Sequence, residues 1–120
     1  NPRPDPLLTK NKGLNRFVWN LRYPSMVAVP NVRIEGNFAA HKAIPGKYTL
    51  TLKTPSQSLS TDAEILANPL YPTDAATYAE YDRTMSAMET ELTSMHRLVN
   101  SLFEKQNQLE SLLKSLPADT

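Results

Sequence analysis

From Thr73 to Leu116 apolar side chains recur at alternating spacings of three and four, with no glycine or proline in 44 residues. That periodicity predicts one long amphipathic helix with a heptad seam. With a and d positions assigned, the seam reads Tyr78, Tyr81, Met85, Met88, Leu92, Met95, Val99, Leu102, Gln106, Leu109, Leu113 and Leu116, so only Gln106 interrupts six consecutive heptads. At about 1.5 Å per residue the helix is roughly 65 Å long, more than a small sheet covers. The seam is therefore expected to meet other helices, supplied by the same polypeptide or by a second copy. Its first half is built of Tyr and Met, adaptable gap-fillers. Its second half is Leu-rich and widened by Leu98, Phe103 and Leu112 on the flanks, which suits a bundle better than a two-stranded rod. Gln106 either fixes register, as a buried Asn does, or marks the end of the seam.

Ahead of Pro72 the pattern changes from period 3.6 to period 2. Phe17, Trp19, Leu21 and Tyr23 alternate with Val18, Asn20 and Arg22, the mark of a half-buried strand. Met26–Val29 and Asn31–Glu35 read as short edge strands between prolines and glycine. Ile44-Pro45-Gly46 suits a type II turn, and Lys47–Lys53 followed by Leu59–Ile65, with Thr54–Ser58 between them, predicts a hairpin. Asn68-Pro69 ends the sheet and Thr73 or Asp74 caps the helix. The expected organisation is a linker over 1–12, a partial β-sandwich over 13–69, a long helix of a bundle or coiled coil over 73–116 and a tail over 117–120. The fold class is then α+β: an incomplete antiparallel immunoglobulin- or fibronectin-III-like sandwich leading into one long α-helix. The Pro-rich opening reads as a linker, and the chain as part of something longer.

The net charge of +1 hides an asymmetry. Residues 1–53 carry nine Lys or Arg against two acids, and residues 54–120 carry four against ten. The bases are spread singly rather than clustered among exposed aromatics, which argues against nucleic acid. A basic sheet surface and an acidic helix that attract each other is the simpler expectation. No apolar run approaches the ~20 residues of a membrane span. There is no cysteine, which removes thiol chemistry and disulfides. His41 and His96 have no metal-ligand spacing around them and read as surface or helix-flank histidines. Three glycines in all leave little room for phosphate cradles, and the acid pairs Asp62/Glu64 and Glu89/Glu91 imply no cleft. Neither catalytic nor metal nor cofactor residues are therefore expected. Trp19, Tyr23 and Tyr71 are the candidates for stacking on a glycan, although Trp19 shares a face with Phe17 and Leu21 and is better suited to the core.

The ordered set Gly13-Leu14-Asn15-Arg16-Phe17-Val18-Trp19-Asn20-Leu21-Arg22-Tyr23-Pro24, Ile44-Pro45-Gly46-Lys47-Tyr48-Thr49-Leu50-Thr51-Leu52, a strand ending at Asn68-Pro69 and a long helix resembles a known arrangement. It is similar to the C-terminal region of large secreted bacterial proteins whose N-terminal part is a sortilin-like, BNR-repeat β-propeller, labelled glycosyl hydrolase. The β part is also similar to the immunoglobulin-like insert of flagellar hook-assembly caps. Asn68-Pro69-Leu70 departs from the Asp-Pro-Arg usual at that point. The resemblance implies an extracytoplasmic location and an accessory, non-catalytic module that braces or oligomerises a larger propeller protein. A carbohydrate-binding module of a secreted glycoside hydrolase is the alternative.

Overall fold

A computed structural model describes residues 5–116. The first four residues of the expected linker and the whole of the expected tail lie outside the described residues. Three regular elements follow in order: β1 (Gly46–Lys53), β2 (Ser58–Ile65) and α1 (Ala75–Ser115).

β1 and β2 form an antiparallel hairpin in the register Gly46 with Ile65 through Lys53 with Ser58. The turn is closed by Thr54, whose amide donates to the Gln57 carbonyl at 2.8 Å and whose hydroxyl accepts from the Gln57 amide at 3.1 Å. Alternation in both strands puts Tyr48, Leu50 and Leu52 on the same face as Leu59, Ala63 and Ile65. Only the end near Tyr48, Ala63 and Ile65 is half-buried; Leu50, Leu52 and Leu59 remain exposed. Gly46 opens β1 with φ 156° instead of serving as the third residue of a type II turn.

The expected immunoglobulin-type sandwich is not formed: among the described residues the sheet has two strands. Residues 14–44 are a long irregular segment. Its two arms meet antiparallel through scattered backbone bonds: Tyr23 amide to His41 carbonyl (3.2 Å), Ala43 amide to Leu21 carbonyl (2.8 Å) and Met26 amide to Phe38 carbonyl (2.8 Å). Arg22 and Lys42 make the isolated bridge. The physical reasons are local. Leu21 sits in the left-handed region at φ 58°, which breaks the extended run where the alternation predicts a strand. Pro24 and Pro30 remove amide donors that a ladder needs. Asn31 at φ 61° and Gly36 at φ 113° then turn the chain between its arms.

α1 is one unbroken helix, as the absence of Gly and Pro predicts. Of the two candidate caps, Asp74 is the one used: its carboxylate accepts from the Thr77 amide at 2.6 Å, and that bond holds the Asp74 carboxyl below its ordinary value. Lys114 lies in the last turn, where a cation favours the negative end of the helix. No Cα of α1 comes within 8 Å of one in β1 or β2; the irregular segment lies against the first part of the helix instead. No described helix is long and apolar enough to cross a membrane.

The molecule measures 75 × 42 × 22 Å with a radius of gyration of 21.1 Å, where a compact chain of this length has about 14 Å. Its buried core among the described residues is small: Ala40, His41 and Ala43.

Candidate functional site

Two features stand out: a histidine clamp that fastens the irregular segment to α1, and an apolar helix face beyond the reach of that clamp.

His41 is at the centre of the first. Its side chain is 1% exposed, with Nε2 3.0 Å from Asp82 Oδ1 and Nδ1 2.9 Å from Glu89 Oε2. Its backbone amide donates to the other oxygen of Glu89 at 2.6 Å. Seven residues apart, Asp82 and Glu89 project from one side of α1 and reach the two ends of one ring. Because a carboxylate faces each nitrogen, both must donate, and His41 is an imidazolium. Burial opposes that charge, but the hydrogen bonds and the charges of Asp82 and Glu89 outweigh it, so the His41 pKa lies above its ordinary value. Tyr23 lies against one face of the ring with centroids 4.7 Å apart, and Tyr81 meets it edge-on at 5.6 Å. The Tyr23 phenol is pushed well above its usual range by burial and by Asp82 and Tyr48 beside it, so it stays protonated.

The same flank of α1 continues to serve backbone groups of the segment. His96 Nδ1 donates to the Val27 carbonyl at 2.6 Å, and Asn100 Nδ2 to the Ala28 carbonyl at 2.9 Å. Phe38 packs edge-on against His96 at 5.4 Å. Asp82, Glu89, His96 and Asn100 thus form a polar row: Asp82 holds the His41 ring, and the other three satisfy an amide and two carbonyls which a sheet would otherwise have paired. Further out, Arg22 Nη1 donates to the Ala40 carbonyl at 2.7 Å, and Trp19 Nε1 to the Arg22 carbonyl at 2.9 Å. The Trp19 ring meets Tyr48 edge-on at 5.7 Å and so links the segment to the hairpin.

This arrangement offers little chemistry. Both ring nitrogens of His41 are occupied and the side chain is sealed from solvent, so it has no free lone pair for a metal or a proton transfer. The two acids sit at opposite ends of the ring, and among the described residues no group of three or more His, Asp or Glu is placed to hold a metal ion. An open cleft of about 940 Å³ lies between the arms of the segment, lined by Ser25, Met26, Val29, Arg33 and Phe38 among others. Asp5 at its edge is engaged by the Ser25 amide (3.0 Å) and hydroxyl (2.7 Å), which hold its pKa down. A second hollow of about 360 Å³ separates Met26, Ala39 and His41 from Tyr81, Met85 and Met88.

The predicted seam residues divide between two environments. Tyr78 and Met85 are half-buried, Met85 across the second hollow from Met26 and Ala39. Tyr81, Met88, Leu92, Met95, Val99 and Leu102 are exposed to differing degrees. Leu98 is 62% exposed while Val99 is 38%, and beyond Asn100 nothing among the described residues covers the stripe: Phe103 is 63% exposed, Leu109 61% and Leu113 68%, and Leu112 and Leu116 are similar. The reach of the segment ends at Asn100. Of the aromatic trio, Trp19 and Tyr23 are half-buried, Tyr23 against His41, while Tyr71 stands exposed in the turn that starts at Asn68.

His41 is not the surface histidine that its spacing suggested; burial and two acids make it the centre of the clamp. The signal that points to it is the heptad repeat of polar residues Asp82, Glu89 and His96 on one flank of the helix. The expected attraction between the basic half and the acidic helix is carried by this histidine: among the described residues no Lys or Arg of the first 53 lies within 4.0 Å of an acid on α1.

No known protein family, curated protein or solved structure matches this chain.

Proposed function

We propose that this chain is a non-catalytic structural module whose long helix docks on other α-helices and thereby braces or oligomerises the protein that carries it. The observation that carries the reading is the uncovered stripe from Leu98 to Leu116. It belongs to a molecule exposing 10797 Å², where roughly 6,500 Å² is usual for a folded chain of this mass. An exposed apolar stripe that runs along one face of a helix for this length marks a protein-interaction site. The clamp supports the same reading, because His41, the one buried ionisable side chain among the described residues, fixes the segment to the helix. Placement outside the cytoplasm, beside a propeller, is proposed from the resemblance of residues 13–24 and 44–52.

The test is made on dilute, monomeric chain. The dye ANS is expected to bind at the stripe, and Leu102→Glu combined with Leu109→Glu is expected to abolish that binding while the near-ultraviolet signal of Trp19 is unchanged. A stripe that binds no dye, and whose amides exchange as slowly as those of 78–96, is already covered within the chain and rejects the proposal.

A further inference from the structure

The partner of the stripe can be read from its polar positions. Continuing the heptad, Leu98 and Lys105 are g positions, Phe103 and Glu110 are e positions, and Gln106 is an a position. In a parallel pair of helices in register, each g residue faces the e residue of the next heptad of its partner. Leu98 then faces Phe103 of a second copy, and Lys105 faces Glu110, each pair occurring twice. Apolar meets apolar and cation meets acid at these positions, so the apolar flanks Leu98 and Phe103 that suit a bundle also fit a two-helix seam; Leu112 alone is left outside it, since α1 ends at Ser115.

Gln106 makes the choice sharper. Only a parallel pair in register brings Gln106 against itself, where two amides can bond to each other. An antiparallel pair matches a with d, so Gln106 would be buried against a Met or Leu wherever it falls within the Met- and Leu-bearing d positions. A parallel pair slipped by one heptad sets it against Val99 or Leu113. Each of those arrangements leaves a buried amide unmatched. In the single chain the Gln106 amide donates to Glu110 at 3.0 Å, so it is already turned toward the flank where Lys105 of the second copy would arrive.

The extent of the seam follows from the clamp. The e flank of α1 is occupied by the irregular segment at Asp82, Glu89 and His96, so two helices can close only beyond it.

We propose that the helix from Leu98 to Leu116 pairs with the same segment of a second copy, parallel and in register, with Gln106 matched to Gln106 and Lys105 to Glu110, while the two clamped bodies splay apart at the other end. This rests on the docking reading above and names its partner.

The experiment is sedimentation of the full chain from micromolar to submillimolar concentration, with Trp19 near-ultraviolet dichroism as the control for folding. The mass is expected to double. Lys105→Glu and Glu110→Lys, each alone, are expected to weaken the dimer about fivefold, and the two together to restore it. Because the chain lacks cysteine, Val99→Cys and Leu116→Cys each report alignment. They lie about 25 Å apart along the helix; in a parallel pair both variants form disulfide-linked dimers on oxidation, whereas an antiparallel pair joins at most one. A dimer that cross-links at one position only, or whose charge reversals are not mutually rescued, overturns the proposal. A chain that stays monomeric yet binds dye at the stripe overturns self-pairing and leaves the docking reading standing; one that is monomeric and dye-silent overturns both.

Discussion

At the scale of single residues, the His41 clamp makes the fold sensitive to pH. Unfolded, the imidazole titrates near its ordinary value of about 6.5; folded, its pKa is raised by Asp82 and Glu89. Stabilisation by the charged ring is therefore complete below the unfolded value and is lost as pH rises through the folded one. The urea midpoint is expected to be higher at pH 6 than at pH 9, and a flat or inverted profile would contradict the clamp. His41→Ala is expected to cost about 2 kcal/mol at pH 6, less than a fully buried ion pair because Asp82 is 30% exposed, and to remove most of the pH dependence. Glu89→Gln retains an oxygen for the His41 amide and should cost about half as much. Denaturant titration of the three proteins at both pH values separates these outcomes.

At the scale of elements, α1 is held along one part of its length and free along the other. The polar row ends at Asn100, so the helix beyond it has neither tertiary cover nor the length at which isolated helices are stable in water. In dilute solution amide protection is expected to fall sharply after residue 100, and to recover as concentration rises; uniform protection at all concentrations would mean that the helix is intrinsically stable to its end. The hairpin is tied in through Tyr48, whose ring meets Trp19 and whose hydroxyl donates to the Ile44 carbonyl at 2.7 Å. Tyr48→Ala should cost about 2 kcal/mol and alter Trp19 fluorescence. The helix and hairpin are legible in the sequence because their periods of 3.6 and 2 run uninterrupted, with a capping Asp and a closing Thr at their ends. The segment over 14–44 is not, because Phe17 to Tyr23 alternates like a strand while Leu21 adopts a left-handed backbone that alternation cannot reveal. The clamp was hidden for a related reason. Asp82 and Glu89 look like solvated acids on a helix, and only the fold brings an imidazole 41 and 48 residues distant between them.

At the scale of the whole molecule, shape distinguishes the possible associations. A single chain is 75 Å long, with its clamped body toward one end and the bare helix toward the other. Folding back of that bare half would bring the radius of gyration from 21.1 Å down toward the compact value of about 14 Å. Solution scattering of the dilute chain is expected to give the longer figure, because α1 runs unbroken to Ser115 with no glycine or proline at which to fold back. Self-association then has two distinct outlines. Paired in parallel, the two bodies lie at the same end, so the greatest dimension grows little beyond 75 Å while the cross-section widens. Paired antiparallel over the same stretch, the bodies lie at opposite ends, and an overlap of about 27 Å leaves a particle of roughly 120 Å. Scattering at high concentration is expected to show doubled mass with the shorter maximum dimension. Doubled mass with the longer one would place Gln106 against a Met or Leu and rule out the matching of Lys105 with Glu110.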